Sequence, residues 1–133
     1  SPEPILRYFN PLMGVASTRF MMLDKPGIDG GPPPTPQHIQ EMRQLIGEMA
    51  QAGILIATDG LRDSSTGVRV RVDDGTFTIS DGPFTEMKEL IAGFAMINVA
   101  STEEAIRWAK KFLTCVGEGE SEIRQMSEPE DFQ

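Results

Sequence analysis

A single cysteine, Cys115, leaves the chain without the pair an internal disulfide requires, so thiol content gives no support to an oxidising compartment. Histidine is equally sparse. One Cys and one His, His38, fall short of the four N or S ligands of a structural zinc site. Only carboxylate-built metal binding stays open, and the expectation is no metal and no other cofactor. Long hydrophobic runs are missing too: no stretch approaches the roughly 18 to 20 apolar residues of a membrane helix, and the start lacks a basic region followed by an apolar one. Positive charge is scarce, with 12 Lys and Arg against 20 Asp and Glu. The net charge of -8 repels nucleic-acid phosphates and acidic membrane surfaces. These absences together predict a cytoplasmic protein with neither a nucleic-acid nor a membrane partner.

What is present fits one domain, since 133 residues lies within the usual length of roughly 100 to 150. Residues 1–17 scatter Pro2, Pro4, Pro11 and Gly14 among apolar residues with neither the helical nor the strand period, which predicts an irregular arm. Phe20-Met21-Met22-Leu23 reads as a strand ended by the turn chemistry of Asp24-Lys25-Pro26-Gly27. The stretch 26–34, rich in Gly and Pro, reads as a loop able to act as a lid. Thr35 then offers an N-cap with Pro36 at the first helical position, and Ile39, Met42, Leu45, Ile46 and Met49 form the stripe of a helix that Gly53 stops. Ile54 to Ala57 follows as a buried strand closed by Asp59-Gly60.

Val68, Val70 and Val72 alternate with arginines, and beyond Asp74-Gly75 Phe77 and Ile79 alternate with Thr and Ser. This is a hairpin in which Val72 faces Phe77, Val70 faces Ile79, Arg71 faces Thr78 and Asp81 lies opposite Val68. Residues 90–99 are apolar on both faces and read as the longest strand. Ser101-Thr102-Glu103-Glu104 is a capping box for a second helix, which Gly117 and Gly119 end. A last strand is expected near 122–126 within a domain of 18–127, before a mobile acidic tail, 128–133. The order strand, helix, strand, hairpin, strand, helix, strand is the α+β, ferredoxin-like split βαβ arrangement with a β-hairpin insertion. Its helices cover one face of the sheet. Three strands that are apolar on both faces need a cover for the other, and a second copy of the chain is the simplest.

Asp81-Gly82-Pro83-Phe84 and its surroundings, from Ser80 through Thr85, Glu86, Lys88, Glu89, Leu90, Ile91, Ala92, Gly93 and Phe94 to the Ser101-Thr102-Glu103-Glu104-Ala105 helix start, resemble the DGPF branch of the YCII-related proteins. The resemblance runs from about Arg19 to Met126. It implies a dimeric α+β barrel, in which two ferredoxin-like sheets pack face to face as a homodimer. Related YCII proteins carry a proposed active site of one histidine and one aspartate. Thr35-Pro36-Gln37-His38-Ile39 matches the place of that histidine but lacks the arginine usual before it. Asp59 and Asp81, both at strand ends, are the candidates for the aspartate.

Each candidate carries a plain structural reading beside the functional one. His38 is an imidazole able to move a proton near neutral pH, or a helix residue at the edge of the stripe. Asp81 is a catalytic carboxylate, or a turn residue whose oxygens accept backbone N–H groups. Arg69, Arg71 and Arg124 form an anion site if they converge, and otherwise serve solubility. Cys115 follows a helix with no obvious basic partner and reads as inert. Two functions stay open: a domain that binds a small-molecule ligand or a regulatory partner, and a small-molecule enzyme using His38 with Asp81 or Asp59 for acid–base catalysis.

Overall fold

The computed structural model describes residues 9–10 and 15–132, with side chains from 17 to 132. The arm expected over 1–17 lies largely outside the described residues; within it β1 (Phe9–Asn10) pairs antiparallel with β2 (Val15–Ala16). The domain then runs β3 (Thr18–Lys25), α1 (Pro36–Gln51), β4 (Leu55–Gly60), β5 (Val68–Asp73), β6 (Thr76–Asp81), β7 (Gly93–Val99), α2 (Thr102–Val116) and β8 (Glu120–Gln125). Four strands form one antiparallel sheet in the order β4-β7-β3-β8, the ferredoxin-like α+β topology. Among the described residues no helix is long and apolar enough to cross a membrane.

Both helices begin where the sequence supplies a cap. Thr35 Oγ1 accepts the His38 N–H at 3.2 Å, ahead of Pro36. At α2, Ser101 Oγ accepts the Glu104 N–H at 3.2 Å, and the Glu104 carboxylate reaches back to the Ala100 N–H at 2.9 Å. Gly117 ends α2 in the left-handed conformation, φ 83°, donating its N–H to Leu113 O.

The period of two along β3 sends Phe20, Met22 and Asp24 toward the helices, level with Ile97, Ala95 and Gly93 of β7. Leu45 and Met49 of α1 and Ala105 and Ala109 of α2 close over them. Met22, Ile54, Ile97 and Val99 are fully buried, each worth about 1.5 to 3 kcal/mol relative to exposure. Met21, Leu23, Phe94 and Met96 alternate onto the opposite face and are only half-buried. Near one end of that face Arg19 grips Glu128 through two hydrogen bonds, 2.8 and 3.1 Å, and Glu128 is itself buried. The Glu128 N–H donates to the Asp131 carboxylate at 2.7 Å, and Pro129–Phe132 forms a 3-10 turn.

Several element boundaries differ from the sequence reading: β4 runs Leu55–Gly60, on through the residues read as its stop, and β8 runs Glu120–Gln125 rather than 122–126. β3 continues through Asp24 and Lys25, because β8 pairs with it as far as Lys25 opposite Glu120. β7 starts at Gly93; Met87–Glu89 makes a 3-10 turn instead, and Leu90 is buried. The hairpin register is as read, with Val72 opposite Phe77 and Val68 opposite Asp81 around a turn at Asp74 and Gly75, both of positive φ. The hairpin is a sheet of its own, separate from the four-stranded one. Its apolar face is uncovered: Val70, Phe77 and Ile79 are 66%, 71% and 69% exposed.

Candidate functional site

At the Asp24 end of β3 the sheet, the two helices and the Gly/Pro-rich loop enclose a cleft. One cavity of about 400 Å³ is lined by Asp24, the loop residues Gly27, Ile28 and Pro32–Pro34, His38 and Met42 of α1, Phe112 and Val116 of α2, and Glu118. A second of about 290 Å³ continues past Asp24, Met42 and Phe112 to Ile46, Thr58, Asp59 and Phe94. Asp24 therefore sits at the junction of both.

Asp24 is 8% exposed, and its Oδ1 has no hydrogen-bond partner among the described residues. Ser121 stands directly across the ladder, and its buried hydroxyl, which forms no full hydrogen bond, approaches the Asp24 carboxyl closely enough to ease the charge. Burial pushes the Asp24 carboxyl up from 3.8 to about 6, with Ser121 opposing that rise. The group is thus poised near neutrality, where a carboxyl can both hold and release a proton.

Of the residues selected from sequence, His38 and Asp59 border this cleft on opposite sides of Asp24. The Asp59 carboxylate accepts its neighbour Gly60 N–H at 2.9 Å. Asp81 lies elsewhere: it is exposed at the hairpin end and borders neither cavity. No hydrogen bond to its carboxylate occurs among the described residues, so the turn that follows is held by other groups. The arginines do not share a site at this cleft either. Arg69 lies 3.8 Å over the Phe84 ring and 3.2 Å from Glu89, and Arg124 pairs with Glu122 of its own strand at 3.5 Å. Arg71 points along the exposed hairpin face shared with Thr78. Burial raises the Cys115 thiol, helped by the Glu41 and Glu48 carboxylates, which opposes a reactive thiolate.

Asp24 is the functional candidate that the sequence reading missed, because Asp24-Lys25-Pro26-Gly27 looks like a turn. The signal was available. Continuing the alternation Phe20, Met22 by one step places Asp24 on the core side of the strand.

The Asp-Gly-Pro-Phe segment is fastened to the cleft's loop by Ser64. Asp29, within that loop, accepts the Ser64 N–H at 3.1 Å and the Ser64 hydroxyl at 2.5 Å, while Ser64 Oγ accepts the Phe84 N–H at 2.9 Å. Gly82 donates its N–H to Gly67 O at 2.9 Å, and the Gly82–Pro83 peptide is cis. A Cβ on Gly82 would lie 1.7 Å from Ser64 O, so only glycine fits. The motif thus builds the joint between the hairpin and the loop.

No curated protein matches the sequence significantly. The family model of the YCII-related domain, however, matches residues 19–128, the span that contains the sheet of four apart from Thr18, both helices and the Asp24 cleft. With that match covering most of the chain, the protein belongs to the YCII-related family.

Proposed function

We propose that this chain is a homodimeric domain of the DGPF branch that binds a small molecule in the cleft around Asp24. The observation that carries the binding reading is Asp24 itself, a carboxyl nine-tenths buried with one oxygen unpartnered where two cavities meet. An unsatisfied buried polar group costs stability, and it persists where a ligand completes its bonding. A fragment screen read by amide NMR tests this. Bound fragments are expected to shift the amides of Asp24, His38, Asp59 and Phe112 together. Hits scattered over the surface, or confined to the hairpin, would remove the cleft as the binding site.

A second reading, acid–base catalysis, is favoured by the Asp24 carboxyl lying near neutrality in a cavity that His38 also lines. Asp24 then takes the part that sequence reasoning offered to Asp81 or Asp59. Membership of the DGPF branch is supported by Asp81-Gly82-Pro83-Phe84 and by the flanks through Phe94.

The homodimer is supported by the half-buried Met21, Leu23, Phe94 and Met96 on the sheet face away from the helices, together with the uncovered apolar face of the hairpin. A sheet-to-sheet seam is expected to bury about 1,600 Å² in total. Met96→Glu sets an unpaired charge in that seam, which should convert a dimer to a monomer in sedimentation at micromolar concentration. A native chain that already sediments as a monomer there would overturn the dimer.

A further inference from the structure

We infer that the Asp24 cleft selects a small organic cation, a protonated amine on a compact apolar body, and rejects anions of the same shape. This rests on the cleft being the binding site and adds the charge and form of what enters it. Two carboxylate residues border the joined cavities from the helix side of the sheet, Asp24 at their junction and Glu118 on one side, while Asp59, level with Phe94 in the ladder, lines the second cavity with its carboxylate turned to the other face. One cationic side chain among the described lining, Lys25, is already engaged. Its Nζ lies 2.8 Å from Glu122 Oε1 and 3.6 Å from Glu120 Oε2, and its hydrogen bond to Glu122 holds the ammonium above its ordinary value. An entering anion would meet Asp24 and Glu118 with only the His38 imidazole, among the described lining, able to offer a free positive partner, whereas an entering ammonium meets both carboxylates.

Carboxylates alone would make only a solvated acidic rim. Asp24 changes that, because its side chain is buried on the helix side of the sheet where the two cavities meet, and its Oδ1 lacks a partner. In so desolvated a position an opposite charge gains far more than at the surface, and an N–H donor adds a charge-assisted hydrogen bond to the carboxylate. The carboxylates are spread along the cleft: no three His, Cys, Asp or Glu side chains among the described residues are grouped to hold a metal ion, which favours an organic cation over a metal. Met42, Ile46, Phe112 and Val116 give the cleft apolar walls. They fit a single ring or short aliphatic body, and the Phe112 face can also attract a nearby ammonium.

Three probes of one shape and different charge test this: benzylamine, benzyl alcohol and benzoate, titrated separately against the 133-residue chain and read by amide NMR at pH 7.5. Benzylamine is expected to shift the Asp24, His38 and Phe112 amides saturably, with affinity at least about tenfold above benzyl alcohol and no saturable benzoate binding at the cleft. In Asp24→Asn the advantage of the amine over the alcohol should fall by about tenfold. Benzoate or benzyl alcohol binding there as tightly as benzylamine overturns the charge inference but keeps the cleft as a site. An amine preference that survives Asp24→Asn overturns the role given to Asp24. If none of the probes, nor any fragment of the screen, shifts the cleft amides, both the inference and the binding reading fall. Should Asp24→Asn not fold, the native protein with the three probes decides alone.

Discussion

Asp24→Asn is expected to be more stable than the native chain at pH 8 by about 2 kcal/mol, with most of that gain gone at pH 4. The sign follows from the direction of the shift. Burial raises the Asp24 carboxyl from 3.8 to about 6 in the folded protein. Because the folded-state value is the higher one, the unfolded chain releases this proton first. The contribution of Asp24 to stability is therefore fully present below about 3.8 and is lost as pH rises through about 6. A rise of about two units corresponds to roughly 3 kcal/mol, and part of the gain in the variant is offset by leaving an asparagine amide in the same unpartnered position. Denaturation of both proteins at the two pH values isolates the effect, since other titrating groups cancel in the comparison. A variant less stable than the native chain at pH 8 would mean that Asp24 is a structural carboxylate with bonds of its own. The result expected here is that of a group kept for a ligand at the expense of the fold.

Gly82→Ala carries the other large expected effect, a loss on the order of 3 kcal/mol, or roughly 10 °C in melting temperature. The added methyl would lie 1.7 Å from Ser64 O and 2.8 Å from Ser64 C, both backbone atoms that cannot rotate away. Relief requires the loop at Ser64 to withdraw. That withdrawal breaks the Gly82 N–H bond to Gly67 and strains the Phe84 bond to Ser64. It also pulls on Asp29, and so on the loop that lines the larger cavity. Gly47→Ala is the control: Gly47 lies in the middle of α1 with nothing within 4 Å of its added Cβ, and the exchange should stabilise by about 0.5 to 1 kcal/mol. Equal denaturation midpoints for Gly82→Ala and the native chain would show that Ser64 does not approach so closely.

The fold was legible because its signals are local. Thr35 and Ser101 announce their helices through side-chain oxygens a few residues from the N–H groups they cap. The hairpin register follows from one turn, Asp74-Gly75, and the period of two on either side. Boundaries were less legible where a distant strand decides them: β3 is prolonged to Lys25 by pairing with β8, nearly a hundred residues away in sequence. The same distance hid the site. Nothing near Asp24 in sequence marks it as more than turn chemistry, and its burial depends on β7, β8 and both helices arriving around it. His38 and Asp59 could be selected by their places at element ends, and both do border the cleft. Asp81 was selected on the same ground and does not, because the hairpin that ends with it forms a separate sheet. The exposure of the hairpin's apolar face was not legible either, since alternation says which residues share a face and not what covers it.

The pairing of β3 with β7 at the centre of the sheet also has a kinetic meaning. Thr18 lies opposite Val99, so the two central strands meet only by closing a loop that contains α1, β4 and the whole hairpin. Every strand of the four-stranded sheet pairs with one of these two, so no part of that sheet is formed from strands adjacent in sequence. Such a high contact order makes folding slow, because the entropy of loop closure is lost before any ladder bond is gained. During synthesis the first half of the chain emerges with its helix and two of its strands but without the strand that joins them. The cleft, which draws on both halves, is therefore assembled last, in the same step that completes the sheet.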